Sequence, residues 1–496
     1  MNKKTVVIVG GGTAGLTIAS QLHQQFRVIV LEKSGHRKYP LKFAVPLMIG
    51  FLFRSATQPY ISKRELQLDG GRAIPFFESG VLGGASAING CVHTVGSQTL
   101  WKRMLQRFDA TFDDLLVSYK RLYAIDSSAA NKIHLMLASQ NAVDHAFIAT
   151  LVGQGIPVGD MNFADQENCG RIYNTTRRIF RSSVLSLLRG QHLDVRLSQM
   201  VERLLVNGEG QVTGVATQDG EISADHVILS GGVIGTCYLL LKEKTQAASS
   251  AHAVLGNLDI GSGLQDHTNL RVNVITNRGF DSLNEISRSW AKRMLLLFRH
   301  CIGIPTLMVG TGATSAVHLD LDGDGLVDTR IQVVQFTETG RHGSDGKYFD
   351  AEPGFSFSIT PINPASRGTI GLGADGVEIK PRYLADARDV ELLKSALNFC
   401  LVLLRSEPLS GFVKTILSQD QIENDPVAYI RNNIFSGHHL IGGAQDAVDR
   451  NFKVKGVEGL YVCDASVLDG YAASNIHSSV VLLADIFAKR FLSLKG

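Results

Sequence analysis

Apolar and polar positions change their period several times along the chain, and each change marks an element. Thr5–Val9 (TVVIV) is an unbroken β-branched run, as a strand buried on both faces should be. A glycine cluster follows, then LTIASQLHQQF, whose apolar positions recur at helical spacing. Arg27–Leu31 (RVIVL) is a second buried strand, closed by Glu32. Together they predict one β-α-β unit. The stretch 192–242 reads as HLDVRL, a hairpin, the strand HVILSGG and a helix. In the middle of the chain the period falls to two. RVNVIT, RIQVVQF, FSFSITPI and GTIGLG predict an antiparallel sheet with one solvated or ligand-facing side. Apolar helical stretches over 290–304 and 389–405 are expected to flank it. GLYVCDAS and a helix over Ser478–Phe491 read as the closing strand and helix of the first sheet.

The glycine cluster adds chemistry to the first unit. Gly10-x-Gly12-x-x-Gly15 spans the turn from strand to helix, so that Thr13 and Ala14 open the helix. Gly10 suits the tight turn, Gly12 lets backbone approach a pyrophosphate, and Gly15 lets helix and strand pack closely. The helix N-terminus offers N–H donors and positive potential to phosphate. Glu32 stands 22 residues after Gly10, at the end of the second strand, where a carboxylate can hold ribose hydroxyls. Strand, helix, strand and acid in this order predict a dinucleotide site, without distinguishing NAD from FAD. Similar pieces in the N-terminal, middle and C-terminal parts predict an α/β chain with one domain assembled from three stretches. We place that domain at 1–95, 185–265 and 430–496, and a second at 96–184 and 266–429.

Composition narrows the class. The chain has 496 residues, long enough for two or three domains at about 150 residues each. Hydrophobic residues make up 44% and charged residues 19%, which excludes intrinsic disorder. Lys+Arg is 49 and Asp+Glu 46, so the net charge of 49 − 46 = +3 argues against a nucleic-acid partner. Six cysteines show neither C-x-x-C nor zinc spacing and predict a reduced protein in the cytoplasm. Lys3 and Lys4 before an apolar run imitate a secretory signal, but the run reads as a strand and no cleavage site follows. No stretch reaches the ~18 apolar residues of a membrane span. The apolar segment Phe43–Phe53 reads as buried loop or core, with a lipophilic substrate entrance as the alternative. Gly is abundant at 50 residues while Pro is only 12, which points to close backbone approaches rather than linkers.

A second glycine-rich stretch, Gly80-Val81-Leu82-Gly83-Gly84-Ala85-Ser86-Ala87-Ile88-Asn89-Gly90, precedes Trp101. It resembles the LGGSSAIN-type segment of the glucose–methanol–choline oxidoreductases. Further matches come in that family's order: His226–Gly232, Leu264-Gln265-Asp266-His267, Pro364–Gly368, His439-Leu440-Ile441-Gly442-Gly443 and Leu460–Ser466. The resemblance covers nearly the whole chain. It implies a discontinuous Rossmann-like FAD-binding domain plus an antiparallel-sheet substrate-binding domain. It also implies FAD as cofactor, with Glu32 at the adenosine ribose and Val201 at the adenine. Gly83, Gly84, Ser86 and Asn89 would lie at the isoalloxazine, Asp464 and Ala465 near the pyrophosphate and ribitol, and Gly231 would also bind the cofactor. Where some members attach FAD through a His, this chain has Ile88, so a noncovalent flavin is implied.

The same resemblance implies the catalytic pair. His439 stands at the family's active-site His, and His477 is preferred as its partner, seven residues before Ala484, with Asn475 as the rival. The expected reaction is oxidation of a neutral or lipophilic alcohol to a carbonyl, with His439 as base and flavin N5 as hydride acceptor. Electrons would then pass to dioxygen, quinone or a protein. A lyase or cyclase reaction, or a light-driven one, is the alternative on the same scaffold. Cys91 and His93 could face either the ring or the core, and His438 and His267 read as supporting or structural. One motif lies outside the family pattern. Asp320-x-Asp322-x-Asp324-Gly325-x-x-Asp328 has calcium-loop spacing, but Ile331 stands where an EF-hand has its bidentate Glu. The preferred reading is a polar hairpin tip without metal, with Ca²⁺ as the alternative.

Overall fold

The computed structural model describes residues 3–51, 53, 59–68, 71–125, 129–245, 255–277, 279–339, 349–373 and 376–495. Its first sheet has five parallel strands in the spatial order Asp194–Arg196, Arg27–Leu31, Thr5–Val9, His226–Leu229, Leu460–Val462. Counted along the chain this is third, second, first, fourth, fifth. The order reverses beside the first strand, and such a reversal opens a crevice at the C-terminal strand edges. Val6, Val7 and Ile8 are fully buried, which explains the unbroken β-branched run. The first helix, Thr13–Leu22, and the closing helix, Ile476–Lys495, pack together against this sheet. A three-stranded meander over Val201–Ser223 lies beside strand His226–Leu229.

The second sheet is antiparallel and has seven strands. Val413–Ile416, Thr268–Thr276, Gly354–Pro361, Thr329–Val334, Ala313–Leu319 and Asn168–Arg171 follow in that order, and Phe435–Ser436 also pairs with Thr268–Thr276. Its two faces differ as the period of two predicts. Leu270, Val272, Ile331, Val333, Phe357 and Ile359 are buried on one face, where helix Ala387–Arg405 packs. Asn269, Arg271, Arg330, Gln332, Ser358 and Thr360 line a cavity on the other.

Two expectations about elements change. GTIGLG is one strand, Thr369–Gly373, of a separate hairpin with Gly376–Lys380, not part of the large sheet. Helix Trp290–Cys301 does not cover the sheet as 389–405 does; most of its residues face solvent. Helices Gln98–Gln106 and Phe112–Leu122, inside the stretch 96–184, lie on the dinucleotide side. There Arg121 and Lys489 pair with the buried Asp485 of the closing helix. All six cysteines are free. Among the described residues no helix is long and apolar enough to cross a membrane.

Candidate active site

One cavity of about 1790 Å³ runs between the two sheets, from Gly10 and Glu32 to Arg330 and His439. That exceeds the ~300–1,000 Å³ of an ordinary ligand pocket, so it has room for a large cofactor and a substrate together. Its dinucleotide end is built from backbone. Gly10 has φ +109°, and a Cβ there would lie 2.4 Å from the Ser230 carbonyl oxygen. The two glycine-rich segments touch directly: Gly83 N–H donates to the Gly11 carbonyl at 2.8 Å, and a Cβ on Gly84 would lie 2.8 Å from the Gly12 Cα. Ser86 Oγ donates to the Gly83 carbonyl at 2.7 Å and fixes that turn.

Glu32 is buried at the end of its strand. Its carboxylate accepts from Gly11 N–H and Ser34 N–H, both at 2.8 Å, and keeps lone pairs for a ligand hydroxyl. Three helix N-termini reach the cavity: Thr13 and Ala14, Gly232 and Val233, and Ile476 and His477. Their N–H groups suit a pyrophosphate or another anion. Asp464 bridges two of the segments. It accepts from Gly232 N–H, Thr236 Oγ1 and Ser466 N–H at 2.6–2.9 Å, and burial raises its pKa above the ordinary carboxylate value. Val201, Gly231, Ala465, Gly84 and Asn89 line the same cavity, while Gly83 and Ser86 support it from behind. The Arg181 guanidinium holds Asn89 through its backbone and side-chain oxygens at 2.6 and 2.5 Å. Ile88 faces the cavity with no nucleophile to offer. This lining fits an FAD.

At the other end the hydrogen bonds form a chain with a fixed direction. Arg330 Nη1 donates to Asn475 Oδ1 at 2.7 Å. Asn475 Nδ2 lies 3.2 Å from His439 Nε2, His439 Nδ1 lies 2.9 Å from His267 Nδ1, and His267 Nε2 lies 3.3 Å from the Ile362 carbonyl oxygen. Arginine can only donate and a carbonyl can only accept, so both ends set the polarity. Asn475 therefore donates to His439 Nε2, His439 Nδ1–H donates to His267, and His267 Nε2–H donates to Ile362. His439 is neutral, and at the cavity the lone pair of its Nε2 accepts from the Asn475 amide. Burial first, and then the neighbouring His267 and Arg330, hold its pKa well below the ordinary imidazole value. The His439 backbone is fixed as well, its N–H donating to Asp266 Oδ1 at 2.7 Å and its carbonyl accepting from Tyr471 O–H at 2.8 Å. Asp266 is fully buried, and desolvation lifts its pKa to about 6.

The hydrogen-bonded partner of His439 is thus Asn475 and not His477. His477 also lines the cavity, but both its ring nitrogens are buried without a hydrogen-bond partner, and burial lowers its pKa to about 4. The preference for His477 rested on counting from Ala484; Asn475, just ahead of the helix, is the side chain that reaches His439. Cys91 lines the cavity, whereas His93 stacks on Tyr119 outside it. His438 faces the cavity too, with its ring 5.1 Å from that of Phe76. His267, read as structural, touches His439 directly. Arg330 was not singled out from the sequence. Its signal was the polar face of RIQVVQF, which shows that Arg330 and Gln332 share a side but not what they meet. In the acidic loop, Asp320, Asp322 and Asp328 bring carboxylate oxygens within 4.8 Å of one another, but Asp324 is not among them. Loop N–H groups already donate to these carboxylates, as at Gly323, Gly325 and Leu321.

A parallel dinucleotide sheet, an antiparallel sheet and one cavity joining a glycine cradle to a neutral histidine define a flavin-dependent oxidoreductase. The chain belongs to the GMC oxidoreductase family, whose N-terminal and C-terminal family models match residues 5–269 and 364–484. It is 26% identical to glucose dehydrogenase [FAD, quinone] of Drosophila pseudoobscura pseudoobscura, over 97% of this chain and 85% of that protein. It is 24% identical to the oxygen-dependent choline dehydrogenase of Staphylococcus saprophyticus, over 97% and 93%. Its fold matches pyridoxine 4-oxidase from Mesorbium loti with a TM-score of 0.81 at 19% identity, over 99% of each chain. The cofactor is FAD, and the protein is an FAD-dependent enzyme of a family that acts on alcohols.

Proposed function

We propose that this enzyme oxidises a neutral or lipophilic alcohol to the carbonyl, with His439 as the base and Asn475 as the group that holds the reacting oxygen. The observation that carries the reading is the directed chain from Arg330 to Ile362, which makes His439 Nε2 the acceptor nitrogen and puts the Asn475 amide on it at the cavity. A substrate hydroxyl entering there displaces the Asn475 amide from Nε2 and gives its proton to that nitrogen. Asn475 Nδ2 then donates to the developing alkoxide, and the Arg330 guanidinium behind it favours that negative charge. Glu32, Asp464 and the three helix N-termini would hold FAD, which when bound supplies the acceptor for the hydride.

The substrate class is read from the cavity lining. Met48, Ile49, Phe53, Phe336 and Phe349 contribute apolar surface. The charged pair Arg271 and Glu338 is self-compensated at 3.1 Å, so it asks for no counter-charge on the substrate. The relatives named for glucose and choline are consistent with a hydroxyl at the reacting carbon and give no preference among carbon skeletons.

The test is anaerobic mixing of the holoenzyme with a panel of alcohols of graded chain length. Bleaching of the flavin band that strengthens with apolar length supports the reading. A flavin that stays oxidised with every alcohol refutes it. His439→Ala should bind FAD normally and reduce it about 10²–10⁴-fold more slowly. Admitting air afterwards distinguishes dioxygen from another electron acceptor.

A further inference from the structure

We propose that helix Trp290–Cys301 docks the enzyme on the surface of an anionic lipid bilayer and turns the cavity mouth toward the lipid. The inference rests on the reading of that cavity as the substrate site. At ~100° per residue, Leu297, Trp290, Cys301, Met294, Phe298 and Leu295 succeed one another around an arc of about 160°. This arc is exposed: Trp290 is 70%, Phe298 62% and Leu295 56% accessible. Ile302 and Ile304 continue the apolar edge beyond the helix. Only a narrow side holds the helix to the body. Leu296 packs into the cluster of Leu283, Ile286 and Leu307, and the buried His300 bonds Thr306 Oγ1 at 3.0 Å. So much contiguous apolar surface is unusual on a protein facing only water.

Charge selects the occupant. Arg293 and Arg299 flank the apolar arc on its two sides, and Arg288 lies just ahead of the helix, all three exposed. From Ile286 to Leu319 the chain has no Asp or Glu, and the acids that precede this stretch in sequence, Asp281 and Glu285, are taken up by Lys292. An apolar face with an aromatic end and basic shoulders is the pattern of a helix lying in a membrane interface. A second copy of the chain on this face would set arginine against arginine. Position fits as well, because Arg293, Leu296 and Leu297 line the catalytic cavity. Docked through this helix, the enzyme can draw an alcohol already dissolved in the bilayer, which names the substrate class as a membrane-partitioned alcohol.

The protein reports on this contact itself. Of its two tryptophans, Trp101 is fully buried with Nε1 bonded to the Val95 carbonyl, so Trp290 alone senses a change of solvent. The holoenzyme is mixed with vesicles of phosphatidylcholine, with and without phosphatidylglycerol, and floated through a density gradient. Binding to the anionic vesicles with a blue shift of tryptophan emission is expected. Leu295→Glu/Phe298→Glu, which leaves the cavity lining intact, should lower the bound fraction at least about tenfold. It should still reduce its flavin with a short soluble alcohol at the parental rate, which separates loss of docking from failure of the catalytic reading. Absence of vesicle binding, or binding that this variant retains, overturns the proposal. Self-association in sedimentation that the variant abolishes, without vesicle binding, overturns it in favour of a second copy.

Discussion

The side chains around His439 make a proton acceptor out of a ring that burial would otherwise leave idle. An imidazole must be neutral, which burial with His267 and Arg330 secures, and must present the correct nitrogen, which the bonds from Arg330 through Asn475 and His267 to Ile362 set. Asn475→Ala is expected to lower kcat/KM by about 10²–10³-fold, as losing one donor to a developing oxyanion does. His477→Ala should have a smaller effect, since neither ring nitrogen of His477 has a hydrogen-bond partner among the described residues. Steady-state kinetics of the two variants with one alcohol decide between them. The pH profile carries a second outcome. Protonation disables the base, and its pKa lies well below 6.5, so kcat/KM should stay level as pH falls through 6.5 and drop only further down. Arg330→Met keeps the volume and removes the nearby cation, so the acid limb should move up toward 6.5, whereas Arg330→Lys should leave it low. The family resemblance singled out His439 in the sequence. It could not separate Asn475 from His477, because two residues of slip in a loop ahead of a helix change which side chain reaches a distant ring. Arg330 was hidden for a similar reason, since its partners come from segments more than 100 residues away.

Among elements, those that bury a regular face were legible. The strand Thr5–Val9, the first helix and the closing helix all show the period their burial requires. Helix Trp290–Cys301 has an apolar face too, and periodicity cannot say whether such a face meets the core, a partner or a lipid. The contact between the two glycine-rich turns was also invisible, although each glycine was noted. It depends on backbone meeting backbone, with no side chain to give a pattern. Gly84 has φ +56°, and an added methyl would meet the Gly12 Cα, so both segments would have to move. Gly84→Ala should therefore cost about 1–3 kcal/mol of stability and weaken FAD retention. Thermal unfolding and flavin release on gel filtration measure the two effects.

For the whole molecule, the cofactor cavity is shared by segments far apart in the chain. Gly10 and Glu32, Gly83 to Asn89, Gly231 and Asp464 meet only after all of them have folded. A ligand that binds only the assembled state stabilises it by mass action, about 2.7 kcal/mol when free FAD stands at 100 times its Kd. Removing FAD is therefore expected to lower the Tm, and adding it back to restore the Tm in proportion to the logarithm of its concentration; calorimetry checks both. The same wholeness governs where a proton can go. From Nε2 of His439 the hydrogen bonds lead inward through His267 and stop at a peptide carbonyl, which cannot take a proton onward. The chain is a cul-de-sac rather than a wire. The proton taken from the substrate must leave by the mouth through which the substrate came, so its escape waits on departure of the product. In a stopped-flow experiment with a pH indicator, acidification of the solvent should lag behind bleaching of the flavin and keep pace with product release.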